Sequence, residues 1–210
     1  MNGSTYIQSL ASLSAEEGVF TTAQAERFDI PRDALSRACA SGKLERVARG
    51  AYRSTAVAPS YLDEVVAAWK LTAPAELTFE RMARESWDGI AVGGSTASSV
   101  LGIGDFYLTP IRMFSSKRFN SRNPNIKMGI RAISRDDVTF KYGFAVTRME
   151  RTIVDLVLDD EDLSLVQGVI EDALDKGFDP MRLRSIVSGL APRMRGKVNR
   201  AFAEGGLHGI

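Results

Sequence analysis

Lys43, Arg46, Arg49 and Arg53 fall within the short stretch KLERVARGAYRS, with Glu45 as its only carboxylate. Guanidinium groups at that density suit phosphate or carboxylate recognition, because each offers a planar fork of N–H donors that matches two oxygens. Other chemistry-bearing residues are sparse. Cys39 is the only cysteine and His208 the only histidine, so no internal disulfide can form and a Cys/His zinc site is excluded. His208 sits in a glycine-rich stretch, which gives no support to a histidine-based triad, and Cys39 falls on the apolar face of a helical pattern, where a thiol is inert core. Asp155 and Asp172 lie on helical patterns, whereas a two-metal nuclease needs carboxylates and a lysine converging from adjacent strands. Gly93, Gly94, Gly102 and Gly104 have neither the Lys-Ser/Thr of a phosphate loop nor the spacing of a dinucleotide fold, and read as turn residues. No metal and no cofactor is expected.

The elements that must position the arginines can be read from the residues before them. Tyr6, Ile7, Leu10, Ala11 and Leu13 recur at helical spacing, predicting an amphipathic helix over residues 4–14. Thr21 followed by Gln24 is a capping-box pattern that opens a second helix, which must end near Asp29 because Pro31 disfavours helical geometry in the residue before it. Pro31 suits the first turn of a third helix and Gly42 its end, giving residues 31–41. Ala34, Leu35, Ala38 and Cys39 share its apolar face; Arg32, Asp33, Ser36, Arg37 and Ala40 share the other, which offers groups that base edges and phosphates can use. Residues 44–48 and 51–54 then read as a hairpin turning at Arg49-Gly50. Helix, helix, turn, helix, hairpin is the order of a winged helix-turn-helix, in which the third helix enters the major groove and the hairpin lies on phosphate. Carboxylates collect ahead of it, at Glu16, Glu17, Glu26 and Asp29, concentrating positive potential on the third helix and the wing.

At 210 residues, 44% hydrophobic and 25% charged, the chain can pack a core and hold two modules. A net charge of +1 carries no nucleic-acid signal by itself; the signal lies in segregation. Lys117, Arg118, Arg122, Lys127 and Arg131 follow one another without a carboxylate, residues 150–179 are rich in Asp and Glu, and Arg182, Arg184, Arg193, Arg195, Lys197 and Arg200 reverse the sign again. Lys117, Arg118, Arg122 and Lys127 lie in or beside a polar loop that can serve as a second DNA or partner contact or simply be solvated. No basic-then-apolar leader pattern opens the sequence, and no apolar run approaches the ~20 residues of a membrane span, so a cytoplasmic protein without a membrane partner is expected.

The stretch STAVAPS, residues 54–60, reads as a linker dividing a module over residues 1–55 from one over residues 60–210. Beyond it a helix capped by Ser60 is expected, then strands at 90–92, 107–114, 127–133, 137–141 and 144–146 in an antiparallel or mixed sheet. A brief helix is expected at about 96–101. Thr147 and Glu150 suggest a second capping box, opening a helix in which Arg151 and Asp155 stand one turn apart. Three amphipathic helices follow. The fold class is thus α+β: a winged helix-turn-helix followed by a mixed α/β domain with C-terminal helices.

Two stretches together, FTTAQAERFDIPRDALSRACASGKLERVARGAYR and FAVTRMERTIVDLV, with STASSVLGI as a weaker match, resemble the AbiE-type antitoxins of type IV abortive-infection toxin-antitoxin systems. The resemblance implies a winged helix that binds inverted repeats in its own promoter and represses it, and a C-terminal antitoxin domain that opposes a nucleotidyltransferase-like toxin. It places Arg32, Ser36 and Arg37 on the recognition helix and Arg46, Arg49 and Arg53 on the wing, with Pro31 where many relatives carry a serine cap. Lys43 opens the same hairpin. ERTIVDL is read as structural. The implied partners are double-stranded promoter DNA and a cognate toxin, with a monomer or a dimer formed on DNA, and no catalysis. Two other readings stay open: a DNA-targeted nuclease using carboxylates such as Asp155 or Asp172, and a ligand-responsive transcription factor.

Overall fold

A computed structural model describes residues 3–121 and 123–204, with side chains from residue 6 onward. The chain forms two compact units, one of Met1–Ile90 with Phe140–Ala145, the other of Ala91–Thr139 with Val146–Ile210.

The first unit opens with α1 (Gly3–Glu17), β1 (Val19–Thr21), α2 (Thr22–Arg27), α3 (Arg32–Ala40), β2 (Leu44–Ala48) and β3 (Ala51–Ser54). The capping box forms as its residues predict: Thr21 Oγ1 accepts from Gln24 N at 3.0 Å, and Gln24 Oε1 from Thr21 N at 2.9 Å. Strand β1 is not visible in the sequence pattern. Val19, Phe20 and Thr21 are all buried, leaving no alternation to read, and they pair antiparallel with β3. The wing strand β3 is therefore central in a sheet ordered β1-β3-β2. Leu13, Phe20, Ala25, Ile30, Leu35, Leu44 and Leu77 form the core beneath it.

Residues 54–60 lie within this unit and lead to α4 (Asp63–Lys70) and α5 (Thr78–Met82). Ser60 does not cap α4: Leu62 stands at that position, and Ser60 Oγ accepts from Leu62 N at 3.2 Å, holding the preceding turn. Both later helices brace the winged-helix residues. Lys70 Nζ meets Glu17 Oε2 at 2.5 Å with both side chains buried, Thr78 Oγ1 donates to Glu17 Oε2 at 2.6 Å, and Gln24 Nε2 donates to Glu76 O at 2.7 Å. Trp69, fully buried, donates through Nε1 to Ile90 O at 2.9 Å and lies under the Arg81 guanidinium, 3.5 Å from its ring centroid. The ring of Phe140 stands edge-on to both Trp69 and Trp87.

The second unit is built on β4 (Ala91–Val92), α6 (Gly94–Leu101), β5 (Ile111–Ser115), β6 (Ile126–Ile130) and the outer ends of β7 (Val138–Lys141) and β8 (Phe144–Thr147), whose residues 140–145 belong to the first unit; the sheet is mixed and ordered β6-β5-β4-β8-β7. Strand β5 starts later than its apolar pattern suggests. It pairs antiparallel with β4 and parallel with β6, in the register Ile111↔Ile126 to Ser115↔Ile130. Four helices follow, α7 (Met149–Leu158), α8 (Leu163–Asp175), α9 (Pro180–Gly189) and α10 (Pro192–Glu204). Ile153, Val154, Leu156 and Val157 of α7 form a core with Ile103, Val166, Val169, Ile170, Leu183 and Val198, so ERTIVDL is chiefly a packing element. The second capping box does not form. Arg148 holds the cap position without a side-chain bond, Thr147 Oγ1 pairs with Thr152 Oγ1 at 2.7 Å, and Glu150 Oε1 accepts from Asp179 N at 3.0 Å.

Candidate nucleic-acid interface

Helix α3 presents its predicted polar face to solvent while Leu35 is buried at 1% exposure. Arg32 reaches back to α2, its Nε 2.8 Å from Glu26 Oε1, with the arginine side chain 78% exposed. One turn later Arg37 Nη1 pairs with Asp33 Oδ2, both side chains about two-thirds exposed. Ser36 Oγ donates to Arg32 O at 3.1 Å, which leaves its lone pairs outward. Lys43, Arg46 and Arg49 are exposed along the start and tip of the β2–β3 hairpin. Gly50 adopts φ +88 there, a left-handed turn conformation that glycine takes without steric cost. Cys39 is half-buried on the inner side of α3, and burial pushes its thiol pKa up, as for an inert core thiol.

Arg53 stands apart from the other cations. It lies on central strand β3 with only 6% of its side chain exposed. Its guanidinium pairs with Glu45 on β2, sits 3.0 Å from Asp63 Oδ2 and donates to Ser54 O at 3.1 Å. That arginine is a tie inside the fold, and its counter-ions leave its charge neutralised. Burial of Arg53 follows from its place opposite Val19 of β1, a strand the sequence pattern conceals.

In the second unit Lys117, Arg118 and Lys127 are exposed, Lys127 on the edge strand β6; Arg122 and His208 lie outside the described residues. Arg131, from the same basic run, is drawn inward to a network in which only the Arg151 and Asp155 pair is foreshadowed by its spacing. Arg112 Nε and Nη2 grip both oxygens of Asp159 at 2.7 Å, and Arg131 bridges Asp155, at 3.2 Å, and Asp159. Arg151 Nε lies 3.1 Å from Asp155 Oδ1. Phe114 is fully buried beneath the Arg112 and Arg131 guanidiniums, 4.9 and 4.5 Å from its ring centroid. Its ring edges are so close to Gly93 and Gly129 that a Cβ at either position would fall 2.4 or 2.7 Å from a ring carbon. Gly93 is thus spaced for an aromatic ring. Asp155 is completely buried, and desolvation pushes its pKa up to about 6 against the opposing pull of Arg151 and Arg131.

These contacts bear on the nuclease reading. The Asp155 carboxylate is bound by arginines, Asp172 Oδ2 accepts from Gly104 N at 2.7 Å, and no group of three or more metal-capable side chains gathers among the described residues. A two-metal site needs carboxylates facing an open position, and here Asp155 faces guanidinium.

The architecture is that of a winged-helix unit with a cationic outer face, joined to a mixed α/β unit that ends in helices. Residues 8–55 match the family described as transcriptional regulator, AbiEi antitoxin. The fold is similar to that of the RV2827C protein from Mycobacterium tuberculosis, known from a crystal structure. The TM-score is 0.58 at 14% identity, over 96% of this chain and 78% of that one. No curated protein matches the chain. No described helix is long and apolar enough to cross a membrane.

Proposed function

We propose that the protein is a DNA-binding autorepressor and antitoxin of a type IV toxin-antitoxin system, acting in the cytoplasm without catalysis. In this reading residues 1–55 are the DNA-binding module and residues 60–210 the antitoxin domain. The observation that carries it is the exposed cationic line of Arg32, Arg37, Lys43, Arg46 and Arg49 on a winged helix whose residues 8–55 match an AbiEi regulator family. Helix α3 enters the major groove of a promoter inverted repeat, with Ser36 beside the two arginines. Lys43, Arg46 and Arg49 take flanking phosphates, where each neutralised phosphate adds to affinity and to its salt dependence. Arg53 keeps the wing in place. Lys117, Arg118, Arg122 and Lys127 form a second contact, to DNA or to an acidic face of the nucleotidyltransferase-like toxin. The protein binds as a monomer or as a dimer formed on DNA.

Replacing Arg37 and Arg49 together with alanine should abolish specific promoter binding in gel-shift titrations across salt concentrations. The circular dichroism spectrum should not change, because both side chains are exposed. Unchanged affinity would overturn the assignment of this face.

A further inference from the structure

We infer that Arg37 reads a guanine in each half-site and that Asp33 is the residue that positions it. The inference rests on the DNA-binding reading above and adds to it the base that is recognised and a carboxylate that would otherwise look misplaced. Asp33 lies in the first turn of α3, on the face that carries Arg32, Ser36 and Arg37. A carboxylate on a surface meant for phosphate lowers its affinity, unless it does something else. Here it accepts a hydrogen bond from Arg37 Nη1 one helical turn away.

Only that one nitrogen of the Arg37 fork has a partner among the described residues. The pairing draws the long side chain back toward the N-terminal end of α3, the end of a recognition helix that meets base edges. It also removes rotamer freedom before DNA arrives, so less entropy is lost on binding. The unpaired edge of the fork has the geometry to donate twice to guanine, at O6 and N7, the commonest arginine contact in the major groove. The pair also lowers the Asp33 pKa, chiefly through the Arg37 hydrogen bond, so the carboxylate stays ionised across the neutral range. Arg32 is built differently. Its carboxylate partner, Glu26, is on α2 rather than on α3 itself.

The test uses the full-length protein and duplexes selected by it from a random-sequence library. The selected half-site should contain an invariant G·C pair. Replacing that guanine by 7-deazaguanine, which lacks N7, should weaken wild-type binding about tenfold, as expected for half of a bidentate contact. In Arg37→Lys the 7-deaza penalty should fall below about threefold while binding to unrelated duplex is retained. In Asp33→Ala the penalty should shrink similarly, with unrelated duplex bound as well as or better than by wild type; Asp33→Glu, which can re-form the pair one turn away, should restore it. If wild-type protein selects and binds a duplex but Asp33→Ala keeps the full penalty, the positioning role is overturned. A penalty retained by Arg37→Lys overturns guanine recognition by Arg37. Failure of the wild-type protein to select or retain any duplex sinks the DNA-binding reading itself, a distinct result.

Discussion

A carboxylate at zero exposure between two arginines, Arg131 and Arg151, makes Asp155 a heavily constrained residue of the second unit. Its folded-state pKa, about 6, is raised from an ordinary value of 3.8. The group therefore stabilises the fold fully below pH ~4 and loses that contribution as pH rises through 6, a difference of about 3 kcal/mol. Glu80 moves the opposite way: Arg27 and the Leu77 amide hold it down at about 2. Comparison with Asp155→Asn isolates the aspartate, since the amide does not titrate. Wild-type stability relative to that variant should fall between pH 4 and 7 in urea unfolding, and a flat difference would show that the arginines fully offset burial. Asp155→Ala should cost ~3–5 kcal/mol at pH 7, because Arg131 and Arg151 would be left underpaired in the interior.

At the scale of elements, glycines sort by what stands opposite them. Gly93→Ala should destabilise the protein by ~1–3 kcal/mol, since the new Cβ meets the buried Phe114 ring. Gly168→Ala, inside α8 with open space around it, should stabilise by ~0.5–1 kcal/mol. Urea midpoints followed by far-ultraviolet circular dichroism check both. Elements whose stability is local were legible in the sequence: the Thr21–Gln24 box, the α3 faces, the Arg49-Gly50 turn and the apolar stripe of α7. Those set by distant partners were not. Strand β1 exists because β3 is there to pair with it. Thr147 turns to Thr152 rather than to its own helix end, and Arg53 is recruited by Glu45 and Asp63. The exposure expected of the candidate face is met at Arg32, Ser36, Arg37, Lys43, Arg46 and Arg49, because these positions are set by local pattern. Its one departure, Arg53, is the member that sits on a central strand.

Over the whole molecule, residues 8–55 match a family by themselves, yet their packing depends on residues beyond 60. A fragment of residues 1–55 loses Lys70 and Thr78 from Glu17, Glu76 from Gln24, Asp63 from Arg53, and Leu77 from the core. It should show no cooperative thermal transition by circular dichroism, whereas the intact chain should. Both tryptophans, Trp69 and Trp87, belong to the first unit, so fluorescence follows that unit while dichroism follows both. The same unit also takes in Phe140–Ala145, whose Phe140 meets the two tryptophans. Synthesis runs from the N-terminus, so a ribosome must make residues 91–139 before this unit has all of its parts. The first unit therefore cannot be completed until residues 140–145 have been synthesised, after most of the second unit's strands have already been made.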